Sequence, residues 1–293
     1  MLPRSLIFSF IVFLIAPLAG KSLAAPQQSH LVRVNAVVYD QADKPLADLR
    51  QQDFTVLEMG REQAITKFLT PKTPLKILLL VDVSISMAEI MKPLSEALMD
   101  FVVSLGSYDE VSIISFSSKV SLEADFTFGV DRIRAVLATL EPTRDPRDAT
   151  KLYDGVAIAI ERLAEQKNTR TALIVVTDGE DRGSREAKRD ETIELAGQSF
   201  TTVYSIYATR RASRKNDYLE RLTAATGGEV YPTDKTLDKN LGDLAKLLQH
   251  HYVLGYTSSN PSDEKDPLPL EVRVSRENAK VTATKSYRVF SKK

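Results

Sequence analysis

Asp82, Ser84 and Ser86 stand at alternate positions directly after the apolar run Ile77 to Val81. Three oxygen-bearing side chains in that spacing could ligate a hard cation. The run has the character of a strand buried on both faces of a parallel sheet, so Asp82 falls where the strand must end. In open α/β sheets, ligands bind in the crevice beyond the carboxyl ends of the strands, which is where these side chains fall. A second explanation competes with the first. Asp and Ser also begin turns, and Ser86 with Glu89 three residues on fits a helix capping box. The cation reading therefore depends on further ligands elsewhere in the chain.

A second apolar run, Ala172 to Val176, leads into Thr177-Asp178-Gly179-Glu180-Asp181 and repeats the pattern of a strand followed by an acid. Taken alone, Asp178-Gly179 is equally a turn. Between the two runs, Thr150 precedes an amphipathic segment that starts at Leu152, where a hydroxyl could simply cap the helix.

The elements that must position these residues alternate between strand and helix, which implies an α/β fold with a doubly wound, mainly parallel sheet flanked by helices. Strands are expected at Leu75 to Val81, Val111 to Ser117, Thr171 to Thr177 and Thr202 to Tyr207, with an edge strand at Leu122 to Phe128. Ile90 to Leu105 carries a helical stripe in which Pro93 marks either the start or a kink. Further helices are expected from Leu152 to Leu163, Tyr218 to Ala225 and Leu237 to Leu248, with others filling the gaps.

Both ends of the chain read differently. Leu31 to Tyr39 places Val32, Val34, Ala36 and Val38 on one face and Arg33 and Asn35 on the other, as in a half-buried strand. Asp53 to Glu58 and Gln63 to Phe68 read as a hairpin around Gly60, and Tyr252 to Tyr256 and Leu270 to Val274 as strands. Isolated hairpins are marginal in water, so the two terminal segments are expected to combine into one small β-sandwich-like domain that carries the α/β domain as an insertion. The expected division is 1–24, 25–73, 74–251 and 252–293.

Residues 1–24 have the form of an export signal, with Arg4, an apolar stretch from Leu6 to Ala19 and small residues at Ser22-Leu23-Ala24. The apolar stretch is shorter than the ~20 residues needed to span a bilayer, so cleavage and a periplasmic or secreted product without a transmembrane segment are expected. The 293-residue chain has 39 basic and 39 acidic residues, a balance that argues against nucleic acid as a partner. Cys is absent, which excludes disulfides, a lipoprotein anchor and thiol chemistry. His250 and His251 are adjacent and point to different sides of any regular element, so they make a poor chelating pair and read as structural or surface residues.

The ordered set Asp82-x-Ser84-x-Ser86, Thr150 and Asp178 resembles the metal-ion-dependent adhesion site of von Willebrand factor type A (VWFA) domains. The similarity extends to Asp109 through Phe116, Leu152-Tyr153-Asp154-Gly155 and Val176 through Asp181, in family order, and spans Leu75 to His250. The terminal segments, with Asp53-Phe54-Thr55-Val56 and Tyr252-Val253-Leu254-Gly255-Tyr256, are similar to a bacterial exported subgroup. Two departures stand out, Ile85 where the family commonly has Gly and Asp148-Ala149 where it has Gly-Gly. Asp145 and Asp148 lie close enough in sequence to tune the site, but read more simply as solvated loop charges.

The resemblance implies a Rossmann-like VWFA fold and a Mg²⁺ site, with Mn²⁺ or Ca²⁺ as alternative ions. Ser84, Ser86 and Thr150 would supply hydroxyls, and Asp82 and Asp178 carboxylates. It further implies a protein partner that offers an Asp or Glu to the ion, and binding without catalysis. Two other functions remain open on sequence. One is a Mg²⁺-dependent phosphotransfer hydrolase with Asp82 as nucleophile, although Ser84 occupies the place where such enzymes carry an acid. The other is a structural module whose metal site is silent.

Overall fold

The structure, a computed structural model, describes residues 29–145, 149–208, 216–258, 260 and 267–288. The expected export signal lies outside the described residues. The first third contains β1 (His30–Tyr39), β2 (Phe54–Glu58), β3 (Arg61–Gln63), β4 (Lys67–Leu69) and β5 (Leu75–Asp82). The middle runs α1 (Met91–Val103), β6 (Glu110–Phe116), β7 (Val120–Thr127), α2 (Val130–Thr139), α3 (Leu152–Ala164) and β8 (Arg170–Thr177). Then follow α4 (Arg189–Gln198), β9 (Thr202–Tyr207), α5 (Asp217–Ala224), β10 (Val230–Pro232) and α6 (Leu237–His250). The chain closes with β11 (Tyr252–Ser258), β12 (Leu268–Val274), β13 (Lys280–Ala283) and β14 (Ser286–Tyr287).

The central sheet has the order β10-β9-β8-β5-β6-β7, parallel except for the antiparallel edge β7. Alternation along β5 explains its place at the centre. Ile77, Leu79 and Val81 pack with α1, α2 and α6 on one face, while Leu78 and Leu80 pack with α3, α4 and α5 on the other. The chain passes from β5 to β6 on one side and later enters β8 on the other. The crevice between the ends of β5 and β8 is therefore the topological switch point of the sheet.

The terminal segments form two antiparallel sheets, β13-β1-β11-β4 and β14-β12-β2-β3, around a shared apolar core that includes Val34, Val56, Tyr252 and Leu254. Two expectations are corrected here, and one strand is added. The hairpin turns at Met59 and Gly60, both with positive φ, but its return arm β3 is short, and β4 crosses to pair with β11 in the facing sheet. Arg33 and Asn35 face the α/β unit, not solvent. Arg33 Nη2 donates to Thr226 O at 2.6 Å and Asn35 Nδ2 to Thr202 Oγ1 at 3.0 Å. The edge strand β10 belongs to the central sheet although its three residues give no strand pattern in sequence. Pro93 is the third residue of α1, within the first turn, where its missing N–H costs no helical hydrogen bond.

Arg170, at the first position of β8, binds both connections between the two units. Its guanidinium donates to Thr73 O and Pro71 O, each at 2.9 Å, on the way in, and to Leu248 O at the end of α6 on the way out. His251, buried beside it, stays neutral. Burial and the adjacent Arg170 push its imidazole down to about 3. Among the described residues no helix is long and apolar enough to cross a membrane.

Candidate metal centre

Strand β5 carries Asp82 to its last position with no exposed surface, and the chain then tightens into a single 3₁₀ turn at Ile85–Met87. The turn settles the capping question. Helix α1 starts only at Met91, with Ile90 at its N-cap, so Ser86 does not cap it. The Ser86 hydroxyl instead lies 3.0 Å from that of Ser84. Each oxygen of Asp82 accepts one hydrogen bond, Oδ1 from the Ser84 amide at 2.8 Å and Oδ2 from the Thr177 hydroxyl at 2.7 Å. A carboxylate offers about four lone-pair directions, so Asp82 keeps acceptor capacity after both bonds are made.

Thr177 was not singled out by sequence. It ends β8, is fully buried and also accepts the Gly179 amide at 3.0 Å. A hydroxyl directly before an acid at a strand end is the signal that could have found it. Asp178 follows on the exit loop, half-buried, and its Oδ1 accepts the Glu180 amide at 3.0 Å. Gly179 has φ +76°, and a Cβ there would meet Asn216 Nδ2 at 2.1 Å, so this turn requires glycine.

Thr150 is buried in the third loop, and the α3 N-cap is Lys151, without a side-chain cap bond. The N-cap explanation of Thr150 is thereby removed. Its carbonyl accepts the Arg182 amide at 2.9 Å, and the next amide, of Lys151, reaches Ser117 O beyond β6 at 2.9 Å. Asp181 Oδ1 accepts the Tyr153 amide at 3.2 Å, and Ser184 Oγ the Asp154 amide at 3.0 Å, so the Asp178 loop caps α3 in place of Thr150. Gly183 lets the loops touch, because a Cβ there would lie 2.6 Å from that of Ala149. No hydrogen bond among the described residues joins the Thr150 hydroxyl to the other four side chains. Asp145 is exposed, and Asp148 lies outside the described residues.

Burial pushes the Asp82 carboxyl up to about 6, hydrogen bonds from Ser84 and Thr177 partly offset that, and the negative charge of Asp178 adds to it. None of the groups acting on Asp82 is a cation. The surface grades outward from buried Asp82 through Ser84, 4% exposed, to solvent-exposed Ser86. If they converge on one ion, the two carboxylates and three hydroxyls would offer a hard, oxygen-only donor set of the kind that suits Mg²⁺, an ion that keeps several waters and does not need an all-carboxylate cage. Among the described residues, no group of three or more His, Cys, Asp or Glu side chains gathers that could hold a metal ion.

Residues 77–180 match the family described as von Willebrand factor type A domain. Among solved structures, the chain is similar to a von Willebrand factor type A protein from Catenulispora acidiphila at 11% identity, covering 91% of this chain and 76% of that one, with a TM-score of 0.53. Proximal thread matrix protein 1 from the mussel byssus, with a zinc-occupied MIDAS motif, aligns at 14% identity over 64% of this chain and 48% of that one, with a TM-score of 0.52. BatB from Bacteroides thetaiotaomicron aligns at 16% identity, over 59% of this chain and 98% of that one, with a TM-score of 0.49. No curated protein sequence matches the chain.

Proposed function

We propose, from the premise that residues 77–180 form a von Willebrand factor type A domain, that this chain is an exported, metal-dependent protein-binding module. The observation that carries the reading is Asp82, a fully buried carboxylate at the sheet's switch point. It is met by two hydrogen bonds and no cationic side chain, beside a pair of touching serine hydroxyls. Asp82, Ser84 and Ser86 would hold Mg²⁺ with Thr150 and Asp178, directly or through water, and Mn²⁺ or Ca²⁺ could take its place. Such an ion, held mostly by neutral hydroxyls, supplies a positive centre that can accept a carboxylate oxygen from another protein.

The chain's own residues do the rest. Thr177 and the Ser84 amide orient Asp82, the 3₁₀ turn presents Ser86 to solvent, and exposed Ile85 flanks the rim. Hydrolysis is disfavoured because the position two after Asp82 is Ser84, whose hydroxyl faces Ser86 and which offers no carboxyl to act as general acid. We assign residues 1–24 to an export signal, 25–73 and 252–293 to a β-sandwich unit and 74–251 to the metal-binding domain.

Ligand-induced stabilisation tests the site. At about 100 times its dissociation constant, an ion that binds only the folded chain stabilises it by about 2.7 kcal/mol. Mg²⁺ is expected to raise the melting temperature of the wild type and to leave Asp82→Ala unmoved. An equal shift in Asp82→Ala would remove the assigned site. Retention of a partner on the immobilised chain in Mg²⁺, and its release by EDTA, would extend the result from ion to function.

A further inference from the structure

A groove of about 560 Å³ runs between α3 and α4 on the face next to the metal loops, and nothing in the metal-binding reading uses it. Its floor is apolar. Ile158 is 43% exposed, unusually open for a large aliphatic side chain on a helix, and Leu195 and Val120 lie half-buried beside it. Its walls are acidic, with Glu161 on α3, Glu186 on the loop before α4 and Glu194 on α4. Two neighbouring lysines are already engaged. Lys151 lies 3.8 Å from Asp154, and Lys188 the same distance from Glu191. Glu161 and Glu186 are solvent-exposed and have no ion-pair partner among the described residues. The Glu194 carboxylate accepts only a neutral bond, from Gln198 Nε2 at 3.0 Å.

The groove therefore joins an exposed apolar floor to three glutamates that make no ion pair among the described residues, within a volume typical of ligand-binding clefts. We infer that it is a second docking surface, for a basic amphipathic segment of a partner protein that lays an apolar side chain on Ile158 and Leu195 and directs Lys or Arg at the three glutamates. This surface acts without the ion. It differs from the metal centre in the sign of charge it selects, since the metal draws a carboxylate and the groove a cation.

Fluorescence anisotropy with synthetic labelled peptides on the full chain tests the proposal. The probes are a Leu/Lys peptide, a Leu/Asp peptide and a Ser/Lys peptide without apolar residues. The Leu/Lys peptide should bind in Mg²⁺ and in EDTA alike, weaken about tenfold in Glu161→Lys/Glu186→Lys and weaken as well in Ile158→Ser. All three substituted positions are exposed, so melting temperatures should stay within a few degrees of wild type. Unchanged affinity in the charge-reversed variant, or equal binding of the Ser/Lys peptide, would overturn the proposal. Loss of binding in EDTA would equally overturn it, because the ligand would then sit at the metal centre. Persistence of binding in Asp82→Ala keeps this test independent of the metal reading.

Discussion

Strand β8 has a buried arginine at its start and, beside its end, the buried carboxylate of Asp82, and the two are treated in opposite ways. Arg170 is met by the carbonyls of Pro71, Thr73 and Leu248, and although burial lowers its guanidinium to about 10, it remains a cation at neutral pH. Asp82 receives one amide and one hydroxyl, and burial raises it to about 6. A buried charge satisfied by the chain's own oxygens is architecture: here it fastens the β-sandwich to the α/β unit. A buried carboxylate met by one amide and one hydroxyl and by no cation, beside the paired serine hydroxyls of the turn that follows it, is where a ligand of opposite sign is expected.

Substitution at the two ends should break the comparison most visibly. Arg170→Met strands three carbonyls at the junction and is expected to cost about 3–5 kcal/mol in urea denaturation. Asp82→Asn, measured in EDTA, should cost less than about 1 kcal/mol or stabilise the fold, since it removes a desolvated charge. Similar losses in both would mean that Asp82 is as structural as Arg170.

The linker end also sets a pH dependence. His251 titrates near 6.5 when unfolded and about 3 when folded, so the unfolded chain binds the extra proton between those values. Stability from this group is complete above about pH 6.5 and falls as the pH drops toward 3, by at most about 1.4 kcal/mol per pH unit. His251→Gln should flatten that slope in pH-dependent melting. At the other end the sign reverses. The raised Asp82 carboxyl favours the folded state while protonated, and this contribution fades as the pH rises from about 4 to about 6. Ion and proton then compete for one carboxylate, so the Mg²⁺-induced rise in melting temperature should shrink as the pH falls below about 6.

A smaller effect sharpens the loop geometry. Gly179→Ala places a Cβ against Asn216 at positive φ and is expected to cost about 1–3 kcal/mol, together with weaker Mg²⁺ stabilisation through displaced Asp178. Loss of stability with an unchanged Mg²⁺ response would remove Asp178 from the ligand set.

How much of this was legible in sequence follows the same division. The strands ending at Asp82 and Thr177 were readable because they are continuous apolar runs, and the proposed ligands Asp82, Ser84, Ser86 and Asp178 because they closely follow those runs; Thr150 follows neither. Arg33, Asn35 and Arg170 were not, since a polar residue facing another part of the same chain has the pattern of one facing water. Helix α4 escaped individual notice because its ten residues bury only Thr192, Ile193 and Ala196. The hairpin expectation failed after Gln63, where the chain leaves one sheet for the other and local pattern cannot register a change of partner. Thr177 sat in plain view, but its hydroxyl matters only through a contact with a residue nearly a hundred positions away.

A single ion at the end of β5 is the expectation from which the proposed function follows. Crystals grown with Mn²⁺ and measured for anomalous scattering test it directly. The expected result is a single strong peak within ligand distance of the Ser84 and Ser86 hydroxyls and the Asp82 or Asp178 carboxylate, absent from Asp82→Ala. No peak there at saturating Mn²⁺, or one that persists in Asp82→Ala, would contradict it.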